Sequence, residues 1–236
     1  MRAETAYEPL FDSALEVDEA DLRTLVRRGE VVIDDRDVAL FQHRNRVALA
    51  LGPVLRMADG GPAAPDGSAA EAVAHYDISL LCVLHPSAGC AFRTARLTVD
   101  LRPTDGAVVR DMSPREVLGD NPVEITTTVG AGLRFNVVPA VLEVDARREQ
   151  ASTRSFHRPT IVTSGRGFAR AFWDFRSRPG DQLQPDRQLR LLVEAPAGAP
   201  LLARFNLTAR VSMGGAAQLI PLLRRRTEID QTYRLA

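Results

Sequence analysis

Leu201-Leu202-Ala203-Arg204-Phe205-Asn206-Leu207-Thr208-Ala209-Arg210-Val211-Ser212-Met213 is the stretch on which the fold turns. Every second residue from Leu201 to Met213 is apolar. The residues between them are Arg, Asn, Thr and Ser, apart from Leu202. A period of two sets one face of a strand on a core and the other in water. Upstream, Asp186 to Ala195 reads as a strand as well. Pro196-Ala197-Gly198-Ala199-Pro200 supplies a turn between the two, so they are expected to pair.

The same pattern extends toward the N-terminus. Ala95, Leu97, Val99 and Leu101 alternate with Arg96, Thr98, Asp100 and Arg102. Ile78 to Leu84 is apolar on both faces, which suits a central, covered strand. Pro86-Ser87-Ala88-Gly89 separates these two, and the spacing predicts a hairpin that sets Cys82 near Arg93. Phe168 to Arg176 puts Ala169, Ala171, Trp173 and Phe175 opposite Arg170, Phe172, Asp174 and Arg176. Further candidates are Val31–Ile33, Val38–Phe41, Val47–Leu51, Val123–Val129, Leu133–Val138 and Ala140–Arg147. About ten short strands punctuated by Gly and Pro predict an all-β fold, a β-sandwich or related barrel of antiparallel strands.

Two short helices are expected beside the strands. Residues 18–28 carry an Asp18 cap, acidic Glu19 and Asp21 in the first turn, basic Arg27 and Arg28 in the last, and a Gly29 stop. Leu22, Leu25 and Val26 form the apolar stripe. Ser113-Pro114-Arg115-Glu116 followed by Gly119 is a second capping box and predicts one helical turn. Residues 56–74 are rich in Gly, Pro and Ala and read as a flexible loop. The expected organisation is a single β-sandwich domain over 1–236.

Thirty basic residues balance thirty acidic ones, and all the basic ones are Arg, because the sequence has no Lys. This balance rules out a strongly basic nucleic-acid binder. The missing lysine removes Schiff-base, P-loop and lysine-cofactor chemistry. Apolar residues make up 45% of the chain, which argues against disorder, and two cysteines make no disulfide scaffold. No apolar run reaches the roughly 20 residues that span a bilayer. The N-terminus has no apolar signal region, which points to the cytoplasm. The Arg-, Ala-, Gly- and Pro-rich composition points to a bacterial source.

Few residues suggest chemistry. Cys82, His85 and Cys90, with His75 upstream, match no zinc spacing, so no metal site and no cofactor is expected. Asp34, Asp35 and Asp37 lack the rest of a calcium loop. His157, near Ser155 and Ser164, is the least implausible general base of an alternative hydrolase reading, but no Gly-x-Ser-x-Gly elbow surrounds a serine. Arginines and aromatics mix between Arg147 and Arg178. Arg166, Arg170, Trp173 and Arg176 are the candidate interaction residues of that segment. The expected function is a non-catalytic protein-interaction or assembly module, acting on a protein partner or on a second copy. An arginine–aromatic nucleic-acid site is a further alternative. Membrane-surface contact through residues 214–236 is weighed against a last strand and its exit, and the strand is preferred.

Overall fold

A computed structural model describes residues 6–31, 41, 45–57, 73–128, 132–137, 151–177, 183, 186–213 and 219–236. Side chains are described for these residues except 119–128, 132–137, 151–159, 213, 226 and 227. The elements in chain order are β1 (Glu8–Val17), α1 (Glu19–Arg27), β2 (Arg46–Met57), β3 (Val73–His85), β4 (Cys90–Asp100), β5 (Val108–Ser113), β6 (Glu116–Thr128), β7 (Gly132–Val137), β8 (Ala151–Ser164), β9 (Arg170–Arg176), β10 (Asp186–Pro196), β11 (Leu202–Met213), β12 (Ile220–Arg224), α2 (Arg226–Ile229) and β13 (Thr232–Arg234). The fold is all-β and antiparallel, as the alternation predicts, and its strands form a nearly closed barrel-like sheet.

Neighbouring strands run β5-β10-β3-β2-β1-β12-β11-β4-β9-β8-β6-β7, with β13 added to β11. β1 joins the two halves of this sheet. Its first part, from Glu8 to Ala14, pairs with β2, and Leu15 to Val17 pair with β12. The first half, β5 to β2, is called sheet A below, and the second, β12 to β7, sheet B. Their inner faces meet in one core. Ile78, Leu80, Leu191 and Val193 enter it from sheet A, and Leu97, Trp173, Phe205 and Leu207 from sheet B.

Both expected hairpins are corrected by the pairing. β3 pairs with β2 and β10, whereas β4 pairs with β11 and β9. Cys82 therefore stands opposite Leu49 and Arg187, not near Arg93. Likewise β10 and β11 lie in different sheets. A short Gly/Pro turn limits the distance between two strand ends but does not choose between pairing beside and crossing over the core. Here both turns carry the chain across the core, so that two strongly apolar faces oppose each other.

The second expected helix is also corrected. Ser113 ends β5 and Glu116 begins β6, with a cis peptide between Ser113 and Pro114. Glu116 pairs with Val162, and the Arg115 carbonyl accepts bonds from the Thr163 N–H at 3.0 Å and hydroxyl at 3.1 Å. Tertiary ladder pairing has overridden a local capping signal there. Among the described residues, Arg226–Ile229 forms the short α2, and Phe41, expected at the end of a strand, is helical.

α1 follows its sequence signals. The Asp18 carboxylate accepts from the Ala20 and Asp21 N–H groups, both at 3.1 Å. Gly29 adopts φ 71° after the last turn. Leu22 and Leu25 are buried, but Val26 is exposed, so the apolar stripe is narrower than expected. Of the apolar stretch at 219–223, residues 220–223 lie in β12 between β1 and β11, with Ile220 and Leu222 in the core. No helix among the described residues is long and apolar enough to cross a membrane. The loop expected at 56–74 joins β2 to β3, whose ends pair Met57 with His75. Its residues 58–72, most of Val31–Ile33 and Val38–Phe41, and all of Ala140–Arg147 lie outside the described residues.

Candidate functional site

Strand order turns three separate alternations into one surface. β9, β4 and β11 are adjacent, and their residues fall in register. The outward rows across them read Arg176–Thr94–Arg210, then Asp174–Arg96–Thr208, then Phe172–Thr98–Asn206, then Arg170–Asp100–Arg204. Five arginines and two aspartates thus occupy twelve outward positions. The inward residues between them, such as Leu97, Trp173 and Phe205, are fully buried.

Some of these charges are fixed within the face. Arg96 grips Asp174 through two bonds of 2.6 and 2.8 Å, and its guanidinium lies 4.2 Å from the Phe172 ring centre. Asp100 is nearly buried and is held bidentately by Arg102, whose backbone N–H adds a bond of 3.1 Å. The side-chain bond to Arg102 is the main reason that the Asp100 carboxyl sits below the usual carboxylate range. Arg210 reaches Asp21 of α1 at 3.4 Å. Between α1 and the strands lies a groove of about 570 Å³, lined by Asp21, Arg96, Asp174, Arg176 and Arg210 among others. Arg176 makes no ion pair with the described residues.

A turn at one end of β9 extends this surface. Gly165-Arg166-Gly167-Phe168 links β8 to β9, with φ of 109° at Gly165 and 83° at Gly167. Backbone bonds hold it on several sides. Gly167 N–H donates to Val109 O at 2.7 Å, Val109 N–H to Phe168 O at 3.0 Å, Phe168 N–H to Gly165 O at 3.1 Å, and Leu101 N–H to Ala169 O at 2.7 Å. A side chain on Gly165 would run into the Ala171 backbone, so the turn requires glycine there. On this pinned turn Phe168 is 69% exposed, between exposed Arg166 and Arg170.

The four candidate residues therefore separate. Arg166, Arg170 and Arg176 are exposed on the turn and the outer face, whereas Trp173 points into the core with its indole N–H unpartnered. The sequence reading named Phe168 but gave it no special place. Its parity puts it on the Arg170 side of the alternation, but only the turn geometry shows that it stays uncovered there. Asp100, Arg102 and Arg204 were legible as polar strand positions, but their convergence with Arg170 required the strand order.

The remaining candidates do not assemble. Cys82 is buried, and burial pushes its thiol up to about 12. Cys90 is half-buried in the other sheet, and His85 is exposed. Among the described residues, no group of three or more His, Cys, Asp and Glu side chains is placed to hold a metal ion. The backbone of His157 pairs with Pro122 within the β8–β6 ladder; its side chain, and those of Ser155 and Arg154, lie outside the described set. Asp34, Asp35, Asp37, Arg147, Arg148 and Arg178 also fall outside it. On sheet A, His75 stands 3.1 Å from Glu194, which Arg110 holds below the ordinary carboxylate range.

No family model matches this chain, and no curated protein matches it. Among solved structures, the chain is similar to Clostridium perfringens delta-toxin, at 10% identity over 80% of this chain and 81% of that one. The TM-score is 0.26, and a likeness of that size carries no argument about this protein.

Proposed function

We propose that the chain is a non-catalytic protein-interaction module that binds an acidic partner through the outer face of sheet B. The observation that carries this reading is Phe168, a large aromatic left 69% exposed on a pinned turn between two arginines. Interface hot spots are enriched in aromatics and arginine, and a rigid anchor loses little conformational entropy on binding. The charge of the face selects an acidic partner, and Phe168 requires an apolar spot within it. A nucleic-acid reading finds less support. Phe172 is already covered by Arg96 and Trp173 is buried, so among the described side chains of the segment Phe168 is the exposed aromatic available for stacking on a base.

Fluorescence anisotropy with a glutamate-rich peptide containing interspersed leucines tests the proposal. Phe168→Ala should weaken binding by about tenfold or more while leaving the melting temperature within about 2 °C, because an exposed side chain contributes little to stability. Arg166→Glu with Arg170→Glu should weaken it further, mostly at low salt. Equal binding by Phe168→Ala and the unaltered protein, or stronger binding of single-stranded oligothymidine than of the peptide, would overturn the reading.

A further inference from the structure

The lowest outward row, Arg170–Asp100–Arg204, borders a depression of about 140 Å³. Thr98 and Asn206 of the next row line it, and Asp230 closes the side toward α2. The charges here are unevenly committed. Arg102 already occupies both oxygens of Asp100. Arg204 makes one long bond, 3.3 Å, to the Thr232 hydroxyl. Arg170 feels Asp100 electrostatically without bonding to it. Arg170 and Arg204 therefore line a small pocket in which Asp230 is the remaining carboxylate.

A second observation concerns the polar groups on the strands. Asn206 Oδ1 is buried and has no hydrogen-bond partner. Buried polar atoms are nearly always paired, so an orphan in a pocket wall calls for explanation. The oxygen side of this amide is turned inward and unbonded, which leaves the Nδ2–H side to donate toward the pocket. Thr98 stands directly opposite half-buried Asn206 on β4 and is itself buried. The space is large enough to admit a tetrahedral oxyanion.

We propose that this pocket is a seat for a phosphate-class oxyanion. Arg170 and Arg204 clamp it from two sides, as guanidinium geometry favours. Asn206 donates through its amide Nδ2–H, and Thr98 adds a hydroxyl. Asp100 positions Arg102 beside the seat and is kept charged by it. The oxyanion arrives as free phosphate or as a phosphoryl group on a partner's side chain. Only that second source rests on the reading of this face as a protein contact.

The test is protection of arginines from phenylglyoxal by inorganic phosphate in the unaltered chain, read by peptide mass spectrometry. Phosphate should protect Arg170 and Arg204 several-fold more than Arg176, which lies outside the pocket; equal protection of all three would overturn the seat. Calorimetric titration adds a second readout. Arg204→Gln should weaken phosphate binding by about tenfold, and Arg176→Gln by less than about twofold. Absence of saturable phosphate binding, or unchanged binding by a folded Arg204→Gln protein, would also overturn it. A phosphoserine peptide that binds more tightly than free phosphate, and loses that advantage in Arg204→Gln, places the oxyanion on a partner. Failure of the glutamate–leucine peptide alongside phosphate protection of Arg204 would remove the acidic-partner reading and leave the seat standing.

Discussion

Arg224 lies fully buried at the junction of the two sheets. Its guanidinium sits 3.6 Å from the Phe11 ring centre and bonds to Ser13 Oγ at 3.2 Å, Phe205 O at 2.9 Å and Tyr233 Oη at 2.9 Å. Glu228 Oε2 lies 3.5 Å away. One side chain thus ties β1, β11, β12, α2 and β13 together. A buried charge is costly unless it is paired and fully hydrogen-bonded, and here several partners share that task. Removing the side chain leaves a cavity and unpaired groups. Arg224→Ala should therefore destabilise the fold by about 3 kcal/mol or more in urea denaturation. A loss below about 1 kcal/mol would show that the network does not hold the C-terminal segment. The sequence marks Arg224 only as the first of three consecutive arginines and gives no sign that it, unlike Arg225, turns inward.

At the scale of elements, the turn at 165–168 links fold to site. Its φ of 109° at Gly165 and the close approach of Ala171 allow no Cβ without movement. Gly165→Ala should cost on the order of 2 kcal/mol and lower the melting temperature by several degrees. It should also weaken acidic-peptide binding, because Phe168 loses its fixed position. A variant that melts and binds like the unaltered protein would contradict the account of a rigid anchor. The elements legible in the sequence were those with one clean face. β4, β9 and β11 have it, and so has α1 with its cap and stop. β1 and β8 were missed for a physical reason. β1 buries Ser13 together with Phe11, Leu15 and Val17, and β8 mixes Ser, Thr, Arg and Pro, so neither shows strict alternation. Strand partners were not legible at all, since turn chemistry reports proximity and not register.

For the molecule as a whole, zero net charge conceals an uneven surface. The outer face of sheet B gathers arginines from β4, β9 and β11, which lie far apart in sequence. The outer face of sheet A instead carries fixed pairs such as Asp77–Arg190 and Glu194–Arg110, beside exposed Leu55 and Met57. These two faces make different claims on a partner, and one experiment separates them. Phe168 and Met57 are both reactive toward hydroxyl radicals and both exposed, at 69% and 43%. Footprinting with and without the glutamate–leucine peptide therefore reads both sheets at once. Loss of labelling at Phe168 with Met57 unchanged is the predicted result. Protection of Met57 with Phe168 still fully labelled would contradict the assignment of sheet B as the binding face.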